Sequence, residues 1–181
     1  MARGSKRRRS LRLRGYDYSQ PGAYFVTICT KDHLPQFGEI LGSDMKLNER
    51  GSIVEVTWKE IPKHFTNTIL DDFIVMPNHM HGILLIKETS DCRGTACRAP
   101  TVEGFGKPVR GSLPTIIRSF KSASTHRINK LDKRKGISIW QRNYYEHIIR
   151  NEDSMNRIRR YIQENPIKWP IDPENLNRAI Q

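Results

Sequence analysis

The residues of this sequence most able to do chemistry are two histidines that lie one residue apart. His79 and His81 belong to an apolar, β-branched run, residues 73–86, which breaks at Pro77 and so predicts two strands joined by a corner. Residues i and i+2 of a strand share a face and lie roughly 6–7 Å apart along it, so both imidazoles project together while Met80 points into the core. The pair could bind a divalent metal, hydrogen-bond to neighbours as ordinary polar residues, or lie on a solvated face.

A second candidate lies further along the chain, where apolar residues at i, i+3 and i+7 predict the buried stripe of a helix: Met155, Ile158 and Ile162. Tyr161 falls about 100° away from that stripe. Arg157 and Asn165 share the face of Tyr161 at i, i+4, i+8 spacing. A tyrosine at the edge of a buried stripe is usually structural, with a packed ring and a hydrogen-bonded hydroxyl, and the helix alone favours that interpretation over a nucleophile.

The composition indicates a polyanionic partner. Lys and Arg outnumber Asp and Glu by 31 to 19 in 181 residues, which gives a net charge of +12 and a pI near 9.9. Nucleic acid is the partner that such a charge favours, and an anionic membrane surface is the weaker alternative because no apolar run approaches the ~18–20 residues of a spanning helix. The charged start of the sequence also lacks the apolar middle of a signal peptide.

The cysteines and the remaining histidines offer little further chemistry. Three cysteines, an odd number, provide no disulfide framework and indicate a reducing cytoplasm. The remaining histidines have no partner at the spacing of metal ligands, which predicts no catalytic role for them: His33, His64, His126 and His147.

The chain divides into one domain with basic and irregular additions. Residues 1–14 carry seven Arg or Lys residues and little to bury, which predicts a disordered arm that grips phosphates through, among others, Arg7, Arg8, Arg9, Arg12 and Arg14. Residues 15–170 form a single domain, within which 88–111 predict a mobile surface loop, and 171–181 form a C-terminal tail.

The order of predicted elements indicates the fold. A strand at 23–30, a hairpin at 36–48, a helix at 49–64 that Pro62 helps to end, and strands at 67–76 and 79–87 precede the loop. A helix from 112 to 131, strand-like residues at 137–149 and a last helix from Asn151 to about Glu164, stopped by Pro166, follow it. This β-α-β-β-α-β order is that of an α+β, ferredoxin-like split βαβ antiparallel sheet, with helices on one face and an extra C-terminal helix that carries Tyr161. Arg118 and Lys121 lie on polar faces of the 112–131 helix, which could be solvated or contact DNA.

Three segments carry a family resemblance. Residues 77–82 (PNHMHG) resemble the His-hydrophobic-His motif of the HUH single-strand nucleases. Residues 140–151 (WQRNYYEHIIRN) followed by 161–166 (YIQENP) resemble the C-terminal signature of the REP-associated tyrosine transposases, and 15–27 (GYDYSQPGAYFVT) are similar to the opening of that family. The resemblance covers about residues 11–170.

The resemblance implies a specific chemistry. His79 and His81 would hold a divalent metal, Asn165 would complete its shell with a shorter reach than the Gln or Glu of relatives, and Tyr161 would attack the scissile phosphate. The attack would release a 3′-OH and leave a 5′-phosphotyrosine. Two imidazoles, one amide and substrate oxygens fit Mg²⁺ or Mn²⁺. A phenol, with a pKa of about 10, is a poor nucleophile at neutral pH, and the metal would act as a Lewis acid on the phosphate that it attacks.

The resulting prediction is a bacterial, cytoplasmic, nucleoid-associated transposase or endonuclease. It would cut and rejoin single-stranded DNA beside hairpins, as a monomer or homodimer and without a membrane partner. One alternative is a DNA-hairpin-binding regulator of the same fold that does no chemistry. Another is a replication initiator or plasmid relaxase, which the short chain disfavours.

Overall fold

A computed structural model describes residues 16–88 and 109–175. The predicted basic arm, with its five named arginines, and most of the predicted loop at 88–111 lie outside the described residues. The elements in chain order are β1 Gly22–Cys29, β2 Gly38–Leu41, β3 Asp44–Leu47, α1 Glu49–Lys59, α2 Ile61–His64, β4 Thr68–Val75, β5 His79–Ile86, α3 Leu113–Leu131, β6 Tyr145–Ile149 and α4 Glu152–Lys168. Short 3-10 turns occupy Lys31–His33 and Trp169–Ile171.

The main sheet has the order β4-β5-β1-β6, and every neighbouring pair is antiparallel. Strands β2 and β3 form a separate antiparallel hairpin between β1 and α1. With α1 joining β1 to β4 and α3 joining β5 to β6, this is the strand order of a split βαβ sheet. The predicted ferredoxin-like fold is confirmed.

One face of the sheet packs against α1 and α3. Alternate residues of the two central strands enter this core, among them Val26 of β1 and Met80 of β5, together with Trp58 and Phe120 from the helices. Gly82 is required here because a Cβ at its position would lie 2.4 Å from Cζ2 of Trp58. The predicted inward orientation of Met80 is confirmed.

Among the helices of the described residues, only α4 packs against the opposite face. The apolar stripe of α4 meets residues of three strands in a second cluster of Phe25, Ile83, Ile149, Met155 and Ile162. Since Ile83 is in phase with His79 and His81 along β5, the histidines point to this face. The sheet thus separates a structural core on one side from the histidines and the tyrosine helix on the other.

Two predicted helix ends were wrong. The helix expected over 49–64 ends at Lys59, and Pro62 lies in the first turn of the separate helix α2. Backbone N–H groups in a first turn make no intrahelical hydrogen bond, so a proline there costs none. Helix α4 does not stop before Pro166 but continues to Lys168. Near a helix end the proline forfeits one backbone hydrogen bond, and the packed stripe of α4 outweighs that loss.

The strand expected from Ile137 begins only at Tyr145. Before it, Trp140 makes an isolated bridge to Thr30. The carbonyl oxygens of Gln141 and Asn143 accept hydrogen bonds from the Lys121 ammonium at 2.9 and 2.8 Å, so a side chain supplies donors where a neighbouring strand would supply backbone N–H groups. None of the helices in the described part of the chain combines the length and apolar character needed to cross a bilayer.

Candidate metal and nucleophile site

The two histidines of β5 face each other across a very short distance. His79 and His81 are 0% and 2% exposed, and their Nε2 atoms lie 3.0 Å apart. Burial lowers the pKa of His79 to about 4 and lowers the pKa of His81 well below its usual value. Both imidazoles are therefore neutral at pH 7, which is the form that binds metals.

Hydrogen bonds at the other ring nitrogens set the orientation of each imidazole. His79 donates from Nδ1 to Oδ1 of Asn78 at 2.8 Å, and Nδ1 of His81 lies 2.9 Å from Oγ1 of Thr27. The Asn78 assignment follows from its own network, because its Nδ2 donates to the backbone oxygens of His33 and Glu174 at 3.0 and 2.7 Å. Since Nδ1 of His79 donates, its Nε2 carries a lone pair, and a Thr27 hydroxyl that accepts from Nδ1 of His81 leaves the second Nε2 free in the same way, as when an outer partner orients a metal-binding histidine.

Tyr161 of α4 lies beside this pair. Its hydroxyl oxygen is 3.3 Å from Nε2 of His81, and its ring centroid is 5.1 Å from that imidazole. The side chain is 38% exposed, and Phe25 packs against the ring edge-on at 6.1 Å. Burial, with a contribution from the charge of Asp172, raises the pKa of Tyr161 to about 12, so the phenol is protonated at neutral pH.

Asn165, one turn further along α4, places a buried amide at the same point. The residue is 1% exposed, and its Nδ2 donates to Oδ2 of Asp172 at 3.1 Å. Its Oδ1 is buried without a hydrogen-bond partner. Because the amide nitrogen is committed to Asp172, the amide oxygen is left to accept from, or coordinate, whatever lies near the histidines.

Asp172 is a site residue that the sequence analysis placed in the C-terminal tail. It is 4% exposed, and one of its carboxylate oxygens lies within 4.8 Å of ligand nitrogens of both His79 and His81. The other partner of the carboxylate is the backbone N–H of Glu174, at 2.7 Å from Oδ1. No periodicity or motif marks Asp172 in the sequence, and only the path of the chain after α4 brings it to the site.

These residues fit a divalent cation. Two convergent neutral nitrogens, one orphaned amide oxygen and one carboxylate supply borderline and hard donors, the set that Mn²⁺ or Mg²⁺ accepts. Without a cation, Nε2 of His81 can carry its proton and donate to Nε2 of His79 at 3.0 Å, whereas the buried Oδ1 of Asn165 has no partner. The arrangement can therefore hold a metal next to a tyrosine hydroxyl.

A pair of acids on β4 positions the tyrosine helix. A register shift between Leu70 and Phe73 marks an irregularity in β4 that carries Asp71 and Asp72. Asp71 accepts from Nε and Nη2 of Arg159 at 2.9 and 2.7 Å, and Asp72 accepts from Gln163 at 2.8 Å. These bonds, on either side of Tyr161 along α4, fix the rotation of the helix about its axis.

A cavity of about 490 Å³ opens beside the tyrosine. Its lining combines aromatic rings with the site residues His81, Tyr161 and Asp172. Phe25 stacks on His81 with centroids 5.4 Å apart, and Tyr145, which is 50% exposed, packs edge-on to Phe25 at 6.4 Å. The cavity leaves the hydroxyl of Tyr161 accessible to a ligand.

The two basic residues predicted on α3 differ in environment. Arg118 is exposed. Lys121 donates to two backbone carbonyls, and its ammonium lies 5.6 Å from the ring centroid of Tyr144. Burial lowers the pKa of Lys121 to about 8. Their contact with DNA stays a prediction.

Comparison with known proteins gives a consistent result. The family model described as "Transposase IS200 like" matches residues 105–165. An uncharacterized protein of Haemophilus influenzae is 42% identical over 173 residues, with 93% of each chain covered. A putative REP-associated tyrosine transposase of the same organism is 26% identical over 156 residues, covering 84% of this chain and 74% of its own. The solved structure of a REP-associated tyrosine transposase bound to a REP hairpin superposes with a TM-score of 0.55 at 20% identity, covering 87% of this chain and 73% of that chain.

Proposed function

Because this chain belongs to the family of IS200-like tyrosine transposases that includes the REP-associated ones, we propose that it cuts and rejoins single-stranded DNA beside hairpins through a 5′-phosphotyrosine at Tyr161. The observation that carries the proposal is the 3.3 Å approach of the Tyr161 hydroxyl to Nε2 of His81, beside the orphaned amide oxygen of Asn165. The proposed nucleophile and the proposed metal ligand His81 both line the open cavity, and His79 and Asn165 lie behind them.

His79, His81 and Asn165 would hold Mg²⁺ or Mn²⁺, with Asp172 in reach. When bound there, the cation supplies Lewis acidity to a phosphate oxygen and stabilises a phenolate nearby. The cavity and α4 would orient Tyr161 toward a bound phosphate.

In the cleavage step, the Tyr161 oxygen loses its proton and forms a bond to phosphorus. The bond from phosphorus to the 3′-oxygen breaks, and that oxygen leaves with a proton as a 3′-OH. The phosphodiester bond energy is retained in the phosphotyrosine, so attack by another 3′-OH restores a DNA strand without ATP.

The proposed substrate is a hairpin with a single-stranded flank. The net charge of +12 and exposed basic residues such as Arg118 favour phosphate contacts, while the aromatic lining of the cavity suits stacking of an unpaired base. A related protein of the same fold was solved with a REP hairpin. Imperfect palindromes near the gene would supply such a substrate.

The test is to locate the covalent link. Wild-type protein, Mn²⁺ and a hairpin with a single-stranded flank should give a denaturant-resistant adduct, and mass spectrometry after digestion should place the phosphate on Tyr161. Tyr161→Phe should bind the hairpin and form no adduct, whereas Tyr145→Phe, the matched control on the cavity wall, should still form it. A link at Tyr144 or Tyr145 would move the active site away from α4, and no link with a validated substrate would favour the non-catalytic regulator.

A further inference from the structure

A second cluster of metal-ligating side chains lies on the same face of the sheet. Cys29 ends β1, His33 lies in the 3-10 turn that follows, and Glu174 comes from the segment after α4. Their sulfur, nitrogen and oxygen atoms lie within 4.8 Å of one another. His33 had no partner at ligand spacing in the sequence, because both partners come from other elements.

The contacts within the cluster resemble those of ligands around a common centre. Cys29 Sγ lies 3.4 Å from Oε2 of Glu174, and His33 Nδ1 lies 3.0 Å from the same oxygen. Nδ1 of His33 is nevertheless without a hydrogen bond, so the ring N–H direction misses that oxygen. Bond lengths of about 2.3 Å to sulfur and 2.0–2.1 Å to nitrogen and oxygen place tetrahedral ligands about 3.5 Å (S to O) and 3.3 Å (N to O) apart. The observed separations match these within about 0.3 Å.

One buried amide holds the backbone of two of the three ligands. Nδ2 of Asn78 donates to the carbonyl oxygens of both His33 and Glu174, and Asn78 is 2% exposed. Asp32 and His33 also adopt left-handed conformations, with φ of 57° and 53°, which are unfavourable for non-glycine residues. The protein thus maintains an unfavourable turn that brings His33 to Cys29 and Glu174.

We propose that Cys29, His33 and Glu174 form a binding site for Zn²⁺, separate from the site of His79 and His81. A thiolate and a carboxylate neutralise the two positive charges, His33 supplies a neutral nitrogen, and water from the adjoining cavity completes four-coordination. Binding releases the thiol proton of Cys29 to solvent, with no change of oxidation state.

The two sites differ in the metal they select. Thiolate favours zinc over Mg²⁺ and Mn²⁺, whereas the donors around His79 and His81 include no sulfur. Cys29 pairs with His79 across β1 and β5, so the sites are neighbours that share no ligand. Zinc at the second site, bound by Glu174 and Cys29, holds residues 172–175, including Asp172, next to the end of β1.

Cobalt reports the site directly, because a thiolate–Co²⁺ bond gives a near-ultraviolet charge-transfer band that nitrogen and oxygen ligands do not give. The protein is used with Cys92→Ser and Cys97→Ser, which leave Cys29 as the single thiol. His79→Ala and His81→Ala then remove the first site. Titration with Co²⁺ should produce the band at one equivalent, Zn²⁺ should displace it, and elemental analysis should find one zinc per chain.

Variants of each ligand separate metal binding from folding. Adding Cys29→Ser should abolish the band. His33→Ala or Glu174→Gln should weaken Co²⁺ binding about tenfold or more. The circular dichroism spectrum of each variant should be unchanged, which shows that the fold is intact. Lys31→Ala, in the same turn but not a ligand, should bind Co²⁺ normally. A natively folded protein without the band would overturn the proposal, and so would a band that survives Cys29→Ser. If Cys29→Ser does not fold, the His33 and Glu174 variants decide: unchanged Co²⁺ affinity in both would overturn the proposal.

Discussion

Replacing Asp71 with asparagine should loosen the helix that carries Tyr161 without touching the histidines. The Asp71 carboxylate accepts two hydrogen bonds from Arg159, and the side chains of Asp71 and Arg159 are 17% and 34% exposed. Hydrogen bonds to charged groups contribute about 1.5–3 kcal/mol, but solvent around Arg159 moves this pair toward the 0–1 kcal/mol of surface pairs. We expect Asp71→Asn to lower the free energy of unfolding by about 1 kcal/mol.

Asp72→Asn is the matched control. It removes the same charge from the adjacent residue, whose carboxylate bonds to Gln163 on the exposed side of α4, and should change stability by less than about 0.5 kcal/mol. Urea denaturation measures the free energy of unfolding of both variants. The rate of adduct formation should fall further in Asp71→Asn than in Asp72→Asn, while the affinity for Mn²⁺ stays unchanged in both. Equal effects of the two variants would show that Arg159 does not position the helix.

The effect of Asp71→Asn should also depend on pH. The hydrogen bonds from Arg159 hold the pKa of Asp71 below its usual value. A carboxylate with a depressed folded-state pKa contributes stability that is present above its unfolded pKa of about 3.9 and is lost as pH falls through the folded value. The difference between wild type and Asp71→Asn should therefore be constant near neutral pH and shrink below about pH 4. A difference that grows on acidification would refute the assignment.

Three further changes test the site, the core and the arm. Thr27→Val removes the partner of His81 Nδ1 and should weaken Mn²⁺ binding about 10–100-fold in calorimetry. Gly82→Ala forces a Cβ against Trp58 and should destabilise the fold by about 1–3 kcal/mol in thermal or urea unfolding, with no specific effect on metal affinity. Deleting residues 2–14 should weaken binding to hairpin and unrelated single strands alike and reduce the slope of log K against log salt. If the deletion instead abolished discrimination between hairpins and left the salt dependence unchanged, the arm would contact bases and not mainly phosphates.

The residues predicted from the sequence are those whose position follows from local periodicity. Alternation along β5 placed His79 and His81 on one face with Met80 on the other, and the stripe of α4 placed Tyr161 at its edge. Strand and helix periods survive folding because burial of the apolar positions enforces them.

The residues that were missed contribute through contacts between distant segments. Asn78 joins His79 to the 3-10 turn and to the segment after α4, and Asp172 reaches the histidines only because α4 continues through Pro166. Asp71 and Arg159 are ordinary charged residues 88 positions apart in the sequence, and they meet where the irregular part of β4 packs against α4. No local pattern encodes such contacts, since they depend on where two elements end.

Burial has opposite consequences for the two kinds of group at the candidate site. It lowers the pKa of His79 to about 4, so the imidazole is ready as a ligand, and it raises the pKa of Tyr161 to about 12, so the phenol is held in its unreactive form. The Tyr161 oxygen lies 3.3 Å from the very nitrogen of His81 that would bind a cation, so a cation there would favour the phenolate. Under the proposed function, cleavage would therefore depend on the metal. A tyrosine hydroxyl held beside two neutral imidazoles and a buried amide oxygen without a partner supports the proposed nuclease over a module that only binds DNA, because DNA binding alone would not require this grouping.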